Sequence, residues 1–255
     1  MSVLICPVCK NELKKCGNTL KCEKNHCFDY SRDGYVNLLL GSKSGDKIGD
    51  SRDSAHARHS FLAKGYYSCL KNFLADKMLG TVLDICCGEG YYDDCCGELY
   101  GFDISKEMVR LAAKSKKHNH YFVANLSAIP VKDNCFDTAI HLFAPFNENE
   151  FSRVLKDDGV LYCVVGGENH LWELKKILYE KPYKNDEIPP ETKHMRLVSK
   201  TKIKDKIQIN QNDLKVLFSM TPYFYRTSEK DKKKLDKIDK TELTVEFLVL
   251  EYRKQ

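Results

Sequence analysis

The stretch VLDICCGEGYY, residues 82–92, decides the fold of this 255-residue chain. Its first residues, VLDI, predict a buried strand, and the segment CCGEG, residues 86–90, predicts a tight turn that leads into a helix. Glycines at such a turn let a ligand come close to the backbone. Thirteen residues after Gly90, a second predicted strand ends at Asp103, a carboxylate placed to hold ribose hydroxyls. The stretch therefore predicts a nucleotide-type pocket at the ends of two strands.

Strands and helices alternate around this stretch. The predicted strands TVLDIC, LYGFDI, HYFVAN, FDTAIHLF and GVLYCVV are separated by helices such as SKEMVRLAAKSK and ENEFSRVL, and two further strands are expected near 196–209 and 242–252. This alternation predicts an α/β, Rossmann-like fold with a mostly parallel, seven-stranded sheet. The connection from Gly90 to Asp103 is short, so we expect its helix to have only about two turns.

Three parts of the chain are distinguished by composition. Residues 1–40 form a compact cysteine-rich module, and residues 41–52 are expected to be a linker because they are rich in Gly, Ser, Lys and Asp. Residues 53–255 are predicted to carry the α/β domain, starting with two short helices before the first strand.

The glycine turn favours S-adenosylmethionine (SAM) over a dinucleotide. The pattern Asp84-x-x-x-Gly88-x-Gly90 lacks the GxGxxG cradle for a pyrophosphate. Glu89 would repel a pyrophosphate, whereas an acidic turn suits a cationic sulfonium ligand. The general SAM motif has glycine at the first position of this turn. The chain has a cysteine there, at position 86, and its side chain is expected to crowd the pocket floor. Asp103 would hold the ribose or, alternatively, cap a helix.

The N-terminal module has the ligand spacing of a zinc site. A CxxC pair at Cys6 and Cys9 is followed, after twelve intervening residues, by Cys22 and then by His26 and Cys27. Zinc takes four ligands in a tetrahedron, and two close pairs on two turns supply them. The fourth ligand is either His26 or Cys27 on spacing alone. A redox CxxC and buried free thiols are the alternatives, and the second pair favours zinc.

Bulk composition bounds the class of protein. Twelve cysteines without a secretory signal indicate a reducing compartment, and we expect the cytoplasm. No run of eighteen apolar residues predicts a membrane span. Residues 81–167 hold eight Lys and Arg against thirteen Asp and Glu, whereas residues 193–240 hold fourteen against six. A basic flank beside an acidic domain is consistent with a polyanionic partner, and a solvated lysine-rich surface is the alternative.

Seven stretches together resemble one family, the zinc-containing 23S rRNA guanine-N1 methyltransferases. The similarity runs over nearly the whole chain, and the combination of a zinc module, a GEGYY turn and an HLxELK helix is specific. The stretches are residues 6–26, GYVNLLL, FLAKGYY, LDICCGEGYY, LFAPF, HLWELK and MTPYFYR.

The resemblance implies an enzyme that transfers a methyl group from SAM to N1 of a guanine in a domain II hairpin of 23S rRNA. It implies a zinc module that contacts RNA, and a dimer. One branch of the family is associated with resistance to macrolide-type antibiotics. The implied zinc ligands are Cys6, Cys9, Cys22 and His26. The implied SAM contacts are Tyr67, Gly88, Glu89 and His170, with Asp84 and Gly90 in the same turn, Asp103 at the ribose and Asn125 near the adenine.

The segment HLFAPF, residues 141–146, follows the fourth strand, where such enzymes place residues that contact the target. Phe143 and Phe146 could stack on the guanine, and His141 is a weak candidate proton acceptor. The alternative is a strand end with a proline-stiffened turn. Two other functions stay open on the sequence: a small-molecule SAM methyltransferase with a structural zinc, and a non-catalytic RNA-binding protein with a decayed SAM pocket.

Overall fold

The computed structural model describes residues 3–41, 52–95 and 97–255. Its strands are β1 (Lys14–Cys16), β2 (Thr19–Lys21), β3 (Cys27–Asp29), β4 (Val36–Asn37), β5 (Thr81–Ile85), β6 (Glu98–Asp103), β7 (His120–Val123), β8 (Phe136–Leu142), β9 (Leu155–Gly166), β10 (Met195–Asn210) and β11 (Lys240–Lys254). Its α-helices are α1 (Arg52–Leu62), α2 (Ser68–Ala75), α3 (Lys106–Ser115), α4 (Glu148–Val154), α5 (Trp172–Leu178), α6 (Gln211–Ser219) and α7 (Glu229–Lys232). Two 3₁₀ helices span Phe224–Arg226 and Lys233–Lys237.

The large sheet has the strand order β10-β11-β9-β8-β5-β6-β7-β4. Pairing is parallel from β4 through β9, and β11 runs antiparallel to both of its neighbours. The predicted mostly parallel Rossmann-like sheet is confirmed. The eighth strand is β4, which follows the zinc module and adds two residues to the edge beside β7. The predicted linker, residues 41–52, lies almost wholly outside the described residues.

The connection after the glycine turn contains no helix in its described residues, so the expected two-turn helix was wrong. Residues 86–95 and 97 lie in turns and irregular backbone, and β6 begins at Glu98. The physical reason is tight local packing. Tyr92 and Asp93 are buried, and Gly97 lies so close to the Gly80 carbonyl that a side chain would collide with it.

Two hydrophobic clusters cover the two faces of the sheet. Successive residues of β5 alternate, since Val82 packs on the face covered by α2, α3, α5 and α6, whereas Leu83 packs on the face covered by α4 and the zinc module. The module shares this second cluster through Leu4, Leu13 and Leu20. The zinc module is therefore a packed layer of the fold.

The module is also tied to the large domain by polar contacts. The Ile5 backbone N–H donates to the Pro130 carbonyl over 2.9 Å, and the Lys132 ammonium lies 2.8 Å from the Glu12 carboxylate. Within the described ranges, no helix is both long and apolar enough to span a bilayer.

Candidate cofactor cavity and metal centre

A cavity of about 300 Å³ lies at the carboxyl ends of β5, β6 and β8. This is the edge at which open parallel sheets bind ligands, because the loops that leave adjacent strands there diverge. Five of the predicted cofactor residues line it: Tyr67, Asp84, Gly88, Glu89 and Asp103. The structure thus brings these five residues together around one cavity, and their contacts with a cofactor stay predictions.

The floor of the cavity is the glycine turn, which uses left-handed backbone three times. Cys86, Gly88 and Gly90 have φ angles of 59°, 55° and 72°. Such a conformation is unfavourable for a cysteine, so the Cys86 backbone raises the free energy of the folded state and must be stabilised by the surrounding contacts. The Cys86 thiol lines the cavity as expected, and burial raises its pKa to about 12. It therefore presents a neutral, weakly polar surface to a ligand.

Gly90 is required for packing and does not line the cavity. A Cβ atom at this position would lie 2.9 Å from the Tyr121 hydroxyl and 3.0 Å from an Asp93 carboxylate oxygen. Its φ of 72° also disfavours any side chain.

Asp103 closes the turn from the end of β6. One carboxylate oxygen accepts a hydrogen bond from the Gly88 backbone N–H over 3.2 Å, and the other accepts from the Ser105 N–H over 2.8 Å. The cap of α3 is Ser105, whose hydroxyl accepts from the Met108 N–H. Asp103 is therefore held rigidly on the cavity wall. Ser105, and not Asp103, is the N-cap residue of α3.

The acidic floor offers groups that suit a cationic ligand. Asp84 is buried at the end of β5, and neither of its carboxylate oxygens has a hydrogen-bond partner within the described part of the chain. Burial, followed by the adjacent Asp93, raises the pKa of Asp84 well above its usual range. Burial also raises the pKa of Glu89 to about 7. Buried carboxyls are costly to ionise without a cation beside them. An ammonium would supply both charge and hydrogen-bond donors, whereas a sulfonium would act by its charge alone. The site fits SAM, which when bound supplies an electrophilic methyl group.

An aromatic layer backs the cavity. The Tyr67 ring lines it, and this ring packs against Phe247 with centroids 4.9 Å apart and against His170 with centroids 6.0 Å apart. His170 itself lies behind Tyr67, where its Nδ1 accepts from the Glu246 backbone N–H over 3.2 Å. His170 is partly buried and does not line the cavity in this structure, so its contact with the cofactor stays a prediction.

Asn125 is also outside the cavity. It is exposed after β7, and its side-chain oxygen accepts from the Ser127 N–H over 2.9 Å, which closes a local turn. The placement of Asn125 near the adenine therefore stays a prediction, since this side chain does not line the cavity.

The three candidate residues of the segment HLFAPF lie in two different places, the hydrophobic core and the cavity. His141 is buried, with Nδ1 3.4 Å from the Cys163 sulfur and Nε2 3.1 Å from the Pro145 carbonyl oxygen, and burial lowers its pKa to about 4. Phe146 packs with His141 in the core. Phe143 alone lines the cavity, and it is 52% exposed. His141 therefore does not line the cavity, whereas Phe143 does.

The four predicted zinc ligands meet in the N-terminal module. The donor atoms of Cys6, Cys9, Cys22 and His26 all lie within 4.8 Å of one another. The His26 Nδ1 is 3.4 Å from the sulfurs of both Cys6 and Cys22, and the Cys9 and Cys22 sulfurs are 3.6 Å apart. Tetrahedral zinc with Zn–S bonds of about 2.3 Å and Zn–N bonds of about 2.1 Å separates its ligand atoms by about 3.5–3.8 Å. The geometry fits zinc.

Two left-handed residues shape this centre. Lys10 follows the first pair with φ 64°, and Asn25 precedes His26 with φ 61°. The second turn directs His26 inward and leaves Cys27 exposed, with its thiol 3.4 Å from the Asn25 carbonyl oxygen. The structure thus brings His26 to the cluster where the spacing left two options.

Hydrogen bonds prepare the Cys22 sulfur to bind a metal. Burial raises the pKa of this thiol, but hydrogen bonds from the His26 backbone, from Cys9 and from the Lys24 backbone lower it to about 7. The thiolate is the form that coordinates zinc, so it is available at neutral pH.

Comparison with known proteins matches both parts of the chain. Residues 4–41 match the sequence family described as "RlmA, N-terminal", a zinc ribbon, and residues 83–163 match a methyltransferase domain. A Bacillus subtilis protein named "Putative 23S rRNA (guanine-N(1)-)-methyltransferase YxjB" is 29% identical and aligns over 98% of this chain and 96% of its own length. The chain is thus similar, over nearly its whole length, to proteins named as 23S rRNA (guanine-N1)-methyltransferases, and it carries both a zinc ribbon and a methyltransferase domain.

Two further matches support the family and the fold. The 23S rRNA (guanine(748)-N(1))-methyltransferase of Streptomyces fradiae is 29% identical over 86% of this chain and 84% of its own length. A chain from the solved complex that holds the Haloferax volcanii Trm112 methyltransferase activator aligns with a TM-score of 0.50 at 17% identity. That alignment covers 82% of this chain and 99% of the other, and it shows the fold. The methyltransferase domain implies SAM, and the zinc ribbon with its Cys and His cluster implies zinc.

The family motifs missed several residues that line the cavity. Arg58 and Leu62 enter from α1, and Met220 enters from the end of α6. A single arginine on a short surface helix carries no distinguishing sequence signal. Leu62 lies in the FLAKGYY stretch and Met220 begins the MTPYFYR stretch, so these two motifs were the available signals.

Proposed function

We propose that this protein transfers a methyl group from SAM to N1 of a guanine in a domain II hairpin of 23S rRNA. The observation that carries the proposal is the arrangement of Phe143 and the acidic floor around one cavity. The floor suits a sulfonium, and an exposed aromatic ring at the rim suits a flat base. The names of the full-length relatives support the same reaction.

The carboxyl groups and Tyr67 would position SAM. Asp84 and Glu89 are buried carboxyl groups with raised pKa values, and a bound cation would favour their ionised forms. Asp103 is held by two backbone N–H groups as a rigid acceptor, and the Tyr67 ring closes the side of the cavity. Methyl transfer needs an in-line approach of the nucleophile, and holding the reactants in line lowers the barrier by about 7–11 kcal/mol in well-oriented cases. The residues act mainly by orientation.

Phe143 would hold the target base. Its φ of 54° places it in the left-handed region, which is unusual for a bulky residue and costs about 1–3 kcal/mol. The Phe143 backbone N–H donates to the Val164 carbonyl over 3.2 Å, and this bond helps to hold the conformation. Its ring centroid lies 6.0 Å from that of Phe247, so one edge is supported and the rest is exposed. RNA enzymes commonly stack splayed bases on such rings.

The zinc module would bind the RNA backbone. All five lysines of its surface are exposed: Lys10, Lys14, Lys15, Lys21 and Lys24. Lys14 and Lys21 face each other directly in the β1–β2 register. Like charges directly opposite in a sheet are destabilising, and a phosphate between them would offset the repulsion. We also propose that residues 1–40 recognise the RNA and that residues 53–255 bind SAM and transfer the methyl group. We further propose that the protein is a homodimer and that it is located in the cytoplasm.

Primer extension on 23S rRNA tests the reaction. Methylation at N1 blocks the Watson–Crick edge, so reverse transcriptase should stop at the modified guanine after incubation with protein and SAM. A SAM-dependent stop in a domain II hairpin is the expected result and also identifies the guanine. Absence of a stop on both naked rRNA and subunit precursors would refute the proposal. Sedimentation equilibrium of the purified chain tests the dimer.

A further inference from the structure

Helix α1 brings one positive charge to a cavity that is otherwise acidic. Arg58 and Leu62 project from this helix into the lining. Among the lining residues in the part of the chain that the structure describes, Arg58 alone is basic. Burial raises the pKa of Glu89 and of Tyr67, and the Arg58 guanidinium opposes both shifts, which places it within electrostatic reach of the two groups.

The methionine end of SAM carries an ammonium and a carboxylate on the same carbon. The ammonium suits Asp84, whose oxygens lack a partner within the described residues. The carboxylate must then lie nearby, in a cavity lined by Asp84, Glu89 and Asp103. Repulsion from these groups would be strong at low dielectric, so the carboxylate needs a donor or a cation of its own.

The backbone of the glycine turn has few donors left for this purpose. The Cys87 N–H donates to the Phe102 carbonyl over 2.8 Å, and the Gly90 N–H donates to the Cys87 carbonyl over 3.0 Å. The Gly88 N–H donates to Asp103. Three N–H groups of the turn are therefore occupied within the protein, which reduces the number of backbone donors available to an anion and favours a side-chain donor beside them.

We propose that Arg58 binds the carboxylate of the methionine end of SAM and so selects ligands that carry the amino-acid moiety. The inference deepens the proposed function and rests on it, since it requires SAM in this cavity. A guanidinium is suited to the task because its planar donors match a carboxylate in pairs. Arg58 would thus act as a cofactor-binding and specificity residue contributed by a helix outside the glycine turn.

Isothermal titration with two product-like ligands tests the proposal on the full chain without turnover. S-adenosylhomocysteine has the amino-acid end, and 5′-methylthioadenosine lacks it while keeping the adenosine and sulfur. We expect Arg58→Met to weaken S-adenosylhomocysteine binding by about 10- to 100-fold, the loss typical of a hydrogen-bonded charge. Binding of 5′-methylthioadenosine is expected to change by less than about 2-fold, within the error of such comparisons.

Matched variants separate this role from folding. Arg52→Met lies in the first turn of the same helix, has a side chain 77% exposed and pairs with Glu107, so it should leave both affinities unchanged. Arg58→Lys keeps the charge and should retain part of the discrimination. If Arg58→Met does not fold, the Lys variant gives the same test at smaller amplitude, and circular dichroism establishes folding in each case.

The titrations test the role of Arg58 separately from the proposed methyl-transfer reaction. Equal weakening of both ligands by Arg58→Met, or no weakening of either, would overturn the role of Arg58 and leave the proposed reaction standing. Failure of the unmodified protein to bind S-adenosylhomocysteine at all would instead overturn the proposed function.

Discussion

The carboxyl groups of Asp84 and Asp93 are buried neighbours beneath the cavity, and burial raises the pKa of both. Asp84 ends β5, whereas Asp93 lies in the irregular connection that follows and accepts a hydrogen bond from the Tyr121 hydroxyl over 2.6 Å. Two adjacent carboxylates in a buried site cannot both ionise easily, so the pair retains a proton to higher pH than a lone aspartate would.

This pair makes the stability of the ligand-free protein fall with rising pH. Because the folded pKa values are raised, the pair's contribution is complete below the unfolded pKa of about 3.9 and is lost as pH rises through the folded values. We expect Asp93→Asn to raise Tm by about 2–4 °C at pH 8. The increase in Tm at pH 5 should be smaller. The new amide can donate to Asp84, and its oxygen can still accept from Tyr121. Differential scanning calorimetry between pH 5 and 8 measures both values.

Asp94→Asn is the matched control for this pair. Asp94 is a neighbour in sequence but forms ion pairs with Lys71 and Lys116, so its substitution should lower stability slightly, with no gain at pH 8. A gain from Asp93→Asn that is the same size at pH 5 and pH 8 would contradict the coupled ionisation.

The zinc centre is expected to stabilise the N-terminal module as a unit. We expect Cys9→Ser to lose bound zinc and to increase amide hydrogen exchange over residues 3–41, because structural zinc contributes about 10–16 kcal/mol of apparent binding free energy. A colorimetric assay of zinc released by chelator gives the content. Cys27→Ser is the control, since its thiol is exposed and outside the cluster. Retention of zinc by Cys9→Ser with its loss from Cys27→Ser would show that the ligand set is different.

Phe143 is expected to affect RNA turnover without affecting the cofactor. Stacking of a base on an aromatic ring contributes about 1–3 kcal/mol, so Phe143→Ala should lower kcat/KM for RNA by about 5- to 150-fold. Phe143→Trp should retain most activity. Binding of S-adenosylhomocysteine, measured by titration, should stay unchanged in both. Tyr225→Ala serves as control, because Tyr225 is 86% exposed yet does not line the cavity. An equal loss in both alanine variants would argue against stacking at Phe143.

Lysines of the zinc module are expected to contact phosphates. Replacing Lys14, Lys15 and Lys21 with Gln should weaken RNA binding and reduce the slope of log K against log salt by about 0.7–0.9 for each lost phosphate contact. Filter binding at several salt concentrations measures the slope. The matched control replaces three exposed lysines of the methyltransferase domain that lie outside the basic segment 193–240: Lys106, Lys117 and Lys181. Identical slopes for the two triple variants would remove the assignment of RNA binding to the module.

Arrangements of residues close in sequence could be predicted well. The spacing of Cys6, Cys9 and Cys22, the alternation of strands and helices, and the strand–turn pattern from Asp84 to Gly90 all depend on local backbone geometry and on which face is buried. Such patterns repeat every two to four residues and are visible along the chain. The acidic lining of the cavity followed from them, since Asp84 and Asp103 lie near the ends of β5 and β6 and Glu89 lies in the glycine turn.

Tertiary packing decided the rest. Only the left-handed turn at Asn25 directs His26 inward and Cys27 outward. Only contacts between distant elements place Arg58 in the cavity and His170 behind Tyr67. The sequence by itself determined the sheet, the glycine turn and the pairs of metal-ligating residues, because these depend on neighbours along the chain. Which side chains face the cavity depends on the packing of helices onto the sheet, a long-range property that no local pattern encodes.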